Sequence, residues 1–435
     1  MKRNILLFAF AALALCFAVS SCEDEPYKFR LTDGVPTVYY VRPVDVASAD
    51  SLLNSAYMGS SICIVGDNLR SVYKLVFNDQ EATLNNSYIT DHTLLVDIPN
   101  EIPEEVSDLM YLITQKADTV KYDFSVLVPG PSIISMSNEY APAGSVATLV
   151  GDYFVDDPNV PLKLYVSDTE ATVKSISKGA VTFVVPDVEE GPVRVTNIYG
   201  EATSVFHYKD TRGLLFDFDG VTGLGNHGWH AQVIESDETS LTGNFLRLGG
   251  ADVTMDEDGG WNDGNFSFEY WPGTWTTPQE YTGDGILLTD LADFSDWQNM
   301  ALKFELYVPS SNPWMAGSMQ LIVAGRDKVT LAGGTDEFGD EVPGANNTFF
   351  NGNELPRGLY TPWYPSGSFD TGDEWITVSV PYSNFIYGSD GTAATGSLTA
   401  SDFTSLTIFV WSGGYTGTEC HPIIKMDNIR AVPNK

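Results

Sequence analysis

From residue 36 onward, apolar residues fall in short runs separated by Gly, Pro, Asn and Asp about every ten positions. Ser61-Ile62-Cys63-Ile64-Val65, Leu94-Leu95-Val96-Asp97-Ile98 and Val181-Thr182-Phe183-Val184-Val185 have the length and the β-branched and aromatic content of strands. The same holds for Ala301–Val308, Ser318–Ala324, Trp375–Val380, Leu406–Trp411 and Ile423–Ile429. After residue 30 no segment sustains a 3.6-residue apolar period, so an amphipathic helix has nowhere to form. The pattern predicts an all-β protein built from several sandwiches, since 435 residues exceed what one core supports.

The pattern repeats. Ser61–Val65 runs into Gly66-Asp67, and Ser145–Val150 runs into Gly151-Asp152, 85 residues later. Glu81-Ala82-Thr83 returns as Glu170-Ala171-Thr172 after 89 residues, and the strand-closing Pro99 returns as Pro186 after 87. Three landmarks in one order at nearly one offset define a domain-sized repeat. Alternating strands at this length suit immunoglobulin-like sandwiches over residues 36–129 and 130–208. The sequence of strand, Gly-Asp turn, hydrophobic strand and strand closing on Pro resembles the IPT/TIG family, which implies spacer domains. Neither copy shows a candidate site.

Composition changes after Tyr208. All nine tryptophans lie between Trp229 and Trp411, and Gly and Asn become denser. Residues 209–435 read as one larger jelly-roll β-sandwich, expected to fold alone from about Thr211. Flat rings beside Asn, Gln and acids are what a pyranose needs: its axial C–H face lies on the ring while edge hydroxyls take hydrogen bonds. Trp271 and Trp275 sit in a Pro/Gly-broken loop, Trp314 follows Asn312-Pro313, and Trp363-Tyr364 lies between prolines. Stiff loops lose little entropy on binding, so these five residues are the expected platform, with Trp261 a further candidate. Trp297, Trp375 and Trp411 border apolar strands and are expected to pack, while Trp229 in a Gly-rich stretch is open to either role.

A formal net charge of −35 repels nucleic acid, anionic glycans and acidic lipid head groups, but leaves a neutral polymer unpenalised. The N-terminus carries Lys2-Arg3, an apolar stretch from Ile5 to Val19, then Val19-Ser20-Ser21-Cys22. This resembles a bacterial lipobox, giving a signal peptide over 1–21, lipidation at Cys22 and a tether over 22–35 beginning Glu23-Asp24-Glu25. Such an anchor places the chain on the outer-membrane surface. Of the remaining thiols, Cys63 and Cys420 fall in different predicted domains, so no disulfide is expected.

Phe216-Asp217-Phe218-Asp219-Gly220, Trp375–Pro381 followed by Phe385, and the closing Met426-Asp427-Asn428-Ile429-Arg430 resemble the surface glycan-binding proteins of Bacteroidetes polysaccharide utilisation loci. The resemblance implies capture of a neutral β-glucan (mixed-linkage, β-1,3 or xyloglucan) beside a TonB-dependent transporter, without catalysis. A surface glycoside hydrolase or lyase is the alternative. Its two carboxylates have no local signature here: in Glu235-Ser236-Asp237-Glu238-Thr239-Ser240 a serine replaces the last acid of a laminarinase-type strand. Asp217, Asp219 and Asp427 stand where a jelly roll can hold structural calcium, but as turn caps they need no ion; no metal or cofactor is expected.

Overall fold

A computed structural model describes residues 29–230, 232–278, 286–335, 338–342, 344 and 350–434. The signal peptide, Cys22 and residues 23–28 of the tether lie outside the described residues. The chain divides into two compact units, residues 1–129 and 130–435.

In the first unit, strands Thr37–Pro43, Ser61–Asp67 and Thr93–Asp97 form one antiparallel sheet. Gln80–Ala82, Val72–Phe77, Leu109–Thr114 and Thr119–Asp123 form the other. Alternate residues of both, among them Ile62, Ile64, Leu75, Phe77, Leu94 and Leu112, close one core. The second unit begins with the second copy: Ser132–Met136, Val146–Asp152, Ala180–Val184 and Thr172–Ser177 against Thr169–Glu170, Lys163–Val166, Gly191–Asn197 and Gly200–Tyr208.

Backbone geometry explains the repeated landmarks. Gly66 pairs with Val38 beside a bulge, and a β-carbon there would lie 1.8 Å from the Thr37 carbonyl oxygen. Gly151 pairs with Ile133 beside the matching bulge, and its β-carbon would lie 2.0 Å from the Ser132 carbonyl oxygen. Only glycine fits either place. Two residues on, Asn68 and Tyr153 share a left-handed φ of 55° and 56°; Asn78 and Ser167, in the hairpins before the Glu-Ala-Thr triplets, share 55° and 53°.

The C-terminal region is a two-sheet sandwich. Its first sheet runs Val233–Glu235, Phe245–Gly249, Ile423–Pro433, Met300–Tyr307 and Ile376–Pro381, with Leu214–Phe216 also paired to Ile423–Pro433. The second runs Ser267–Tyr270, Ser405–Val410, Met319–Ala324 and Gly358–Tyr360. Phe304, Leu306 and Met426 of the one meet Phe268, Leu321 and Ile408 of the other in a single core. The expected strands therefore form, but most are buried on both faces, because a further layer covers each sheet from outside.

Over the first sheet that layer includes the second immunoglobulin-like domain. Lys303 and Arg430 pair across neighbouring strands, with Glu305 one step along on the same outer face. Glu139 reaches in from the other domain, one carboxylate oxygen 2.6 Å from the Lys303 ammonium and the other 2.7 Å from the Arg430 guanidinium. Arg430 also binds Glu305 at 2.8 Å. All four side chains are buried. Burial disfavours the charged form of Arg430, but Glu305 and Glu139 reverse this and hold its affinity for the proton above the ordinary value. Backbone bonds close the seam: Thr377 N–H donates to the Ser137 carbonyl, Glu139 N–H to Thr377 Oγ1, and the Tyr140 hydroxyl to the Asp210 carbonyl. A chain beginning near Thr211 would keep Lys303, Arg430 and Glu305 but lose Glu139, which argues against its folding alone.

Cys63 and Cys420 are buried free thiols in different units. Trp375 packs on Phe245 and Tyr307 and donates its indole N–H to the Thr239 carbonyl; Trp297 is half-buried against Phe403.

Candidate functional site

The second sheet turns Ser267 and Glu269, Thr407 and Phe409, and Gln320 to its outer face. The register sets Ser267 and Gln320 on either side of Phe409, and Glu269 beside Thr407. Loops rise around this floor and leave a cleft. One lip is Trp229, from the loop before Val233–Glu235; the other is Trp261, from the loop before the short helix Asp263–Phe266. His230, Asp263, Trp271 and Phe350 complete the lining.

Exposed aromatic rings gather at both lips. Trp229 and Trp275 are 52% and 61% exposed and meet edge to face, with centroids 6.3 Å apart. Trp261, 46% exposed, stands edge-on to Phe409 at 4.7 Å and to Trp411 at 5.0 Å, and those two rings lie stacked. Trp411, expected to pack, is only half-buried and backs the second lip. Between the lips the polar groups are carboxylates, an imidazole and hydroxyls, the set that takes sugar hydroxyls at the edge of a stacked ring. No lysine or arginine lines the cleft among the described residues.

The expected platform divides. Trp275 and Trp261 stand open, as anticipated. Trp271, Trp314 and Trp363 do not: each is buried, correcting their placement as exposed loop rings. The Trp314 indole N–H lies 2.7 Å from the Ala316 carbonyl oxygen and 3.0 Å from that of Gly317, which also accepts from Trp363 at 2.8 Å. Trp271 donates to Thr407 Oγ1 at 2.8 Å and stacks on Phe350, so it lines the cleft from beneath with its face covered. The prolines stiffen these loops, but the loops fold inward, and a rigid loop ring serves as a core plug once a carbonyl takes its N–H. Tyr364 is exposed against Tyr415, outside the cleft lining.

Sequence reasoning missed Glu269, Asp263 and His230. A signal was present in Ser267-Phe268-Glu269-Tyr270-Trp271, where polar residues alternate with aromatics in a strand. The acids considered for catalysis are engaged elsewhere: Glu235 binds Arg247 at 2.6 Å, and Asp237 binds Lys425 at 2.6 Å. The acids considered for calcium accept hydrogen bonds from the chain itself. Asp217 accepts from the N–H groups of Asp219 and Val221, Asp219 from Asn244, and Asp427 from Thr242 and the Asn428 N–H.

Residues 131–210 match the IPT/TIG domain model, and residues 208–433 match that of the surface glycan-binding protein B xyloglucan binding domain. The surface glycan-binding protein PbSGBP-B of Prevotella bryantii is 48% identical, with a TM-score of 0.79 over 93% of this chain and 100% of that one. An IPT/TIG domain-containing protein of Bacteroides ovatus is 31% identical over 158 residues, 34% of this chain; the match spans 31% of that protein's length. With more than half of its residues matched by the glycan-binding domain model, the chain belongs to the surface glycan-binding protein B family.

Proposed function

We propose that this protein captures a neutral β-glucan, xyloglucan foremost, in the cleft between Trp229 with Trp275 and Trp261 with Trp411, and does not cleave it. The observation that carries the reading is the gathering of exposed rings at both lips, with Asp263 the most open polar group between them. A glucan backbone alternates an apolar C–H face with hydroxyl edges, and the cleft offers a counterpart to each. Acids without a lining cation disfavour uronate polymers. The name of the matched family model points to xyloglucan among the neutral candidates. The lipobox-like Cys22 supports an outer-membrane anchor, and the family supports a TonB-dependent transporter as partner.

Affinity electrophoresis of the full chain through xyloglucan, mixed-linkage glucan, β-1,3-glucan, β-mannan and polygalacturonate tests the reading, with a reducing-end assay on the same mixtures. Retardation by a neutral glucan, none by polygalacturonate and no new reducing ends is the expected result. Migration unaffected by every neutral polymer, or release of new ends, overturns it. Metabolic palmitate labelling should disappear in Cys22→Ala; label that persists removes the anchor.

A further inference from the structure

We infer that Glu269 is a positioning residue that presents Trp229 to the glycan without touching it, an inference that rests on the binding reading above. Glu269 is buried, yet its carboxylate takes up both donors of one residue: Oε2 accepts the His230 backbone N–H at 3.0 Å, and Oε1 lies 2.9 Å from His230 Nδ1. Asp263 meets the other side of that imidazole at 3.3 Å. The Glu269 backbone holds the start of the same loop. Its carbonyl accepts from His227 N–H at 2.8 Å, and its N–H donates to Asn226 Oδ1 at 3.1 Å. Asn226 in turn donates to the His230 carbonyl and so closes the loop on itself.

Gly228 shows how tightly the loop lies on this residue, because a β-carbon there would sit 2.2 Å from the Glu269 β-carbon. Residues 226, 227 and 230 are thus bonded to one strand residue and residue 228 is pressed against it. Trp229 alone turns outward, against Trp275. A ring so held is pre-organised for stacking, whereas a free loop would have to be ordered on each binding event. The carboxylate also needs the loop: buried without the imidazole and the N–H, its charge would be uncompensated.

Glu269→Gln keeps the shape but places an amide N–H₂ where one acceptor was required. In the full chain, the expected result is a fall of about tenfold in affinity for a xyloglucan oligosaccharide. The exciton-coupled circular dichroism of the Trp229–Trp275 pair, assigned with Trp229→Phe, should weaken even without glycan. Unchanged coupling and affinity overturns the inference. Lost affinity with intact coupling also overturns it, because Glu269 would then act on the sugar directly. Should the glycan reading itself fail, the coupling measurement still decides the clamp. Gly228→Ala keeps the acid but forces the loop away from it, and serves if Glu269→Gln does not fold; it should weaken the same coupling, and a normal signal sinks the proposal.

Discussion

The first sheet of the C-terminal sandwich turns Lys303, Glu305 and Arg430 outward and buries them under a neighbouring domain; the second turns Ser267, Glu269, Thr407 and Phe409 outward to floor an open cleft. Both faces follow the same two-residue alternation and both carry polar groups opposite one shared core. What separates them is the cover. Where the cover is complete, each charge has a fixed protein partner and the face holds domains together. Where it stops short, aromatic rings edge the gap, and the polar groups beneath are bonded to the loops that carry those rings. Outward polarity in a sandwich is therefore no index of function until the layer above it is known.

Breaking the covered face should have the largest effect. Glu139→Ala leaves Lys303 and Arg430 short of a buried acid, and should cost the second unit about 3–5 kcal/mol of stability in urea unfolding. Glu139→Ala with native stability would mean that the seam contributes nothing.

Next come the tryptophans that fill the sandwich. Trp314→Ala and Trp363→Ala each open a cavity and orphan part of the Gly317 carbonyl's bonding, so each should lose about 3–5 kcal/mol of stability. An exposed ring behaves in the opposite way. Trp229→Ala, Trp275→Ala and Trp261→Ala should weaken oligosaccharide binding by about 1–3 kcal/mol each in calorimetry, with melting temperatures little changed. If the buried pair lowered affinity at unchanged stability while the exposed three did nothing, the assignment of faces would have to be exchanged.

A pH series sharpens the electrostatics of the covered face. Asp427 is buried and lies across from Glu305; burial first, then the charges of Glu305 and Asp219, raise its proton affinity to about pKa 8. The folded protein then holds a proton that the unfolded chain releases near pH 4, so this group's contribution to stability falls as pH rises from about 4 to about 8. One proton limits the slope to about 1.4 kcal/mol per pH unit. Asp427→Asn should flatten stability against pH in that window, and a melting profile with the parent slope would show that the group titrates normally.

Much of this was legible in the sequence. The all-β class followed from run length, and the 85- and 89-residue offsets marked positions that share a bulge or a left-handed turn. The confinement of tryptophan to the last half pointed to the region that matches the glycan-binding domain model. Which tryptophans face outward was not legible. Trp271 is covered by Phe350, 79 residues away, and Trp363 is capped by a carbonyl 46 residues away. Local stiffness from proline is readable; whether a stiff loop folds in or out depends on distant partners. For the same reason nothing local to His230 shows its place 2.9 Å from Glu269.

The seam at Glu139 has a consequence for inheritance. Glu139 and Arg430 lie 291 positions apart along the chain, yet each depends on the other's charge. A gene exchange cut near residue 210 would pair the glycan-binding sandwich with a new domain, and would succeed only if the newcomer carried an acid at the same point. The acidic partners of Arg430, Glu139 and Glu305, both lie within residues 130–435. Recombination in this lineage should accordingly carry residues 130–435 as one heritable piece, so that glycan preference travels with the domain beneath it.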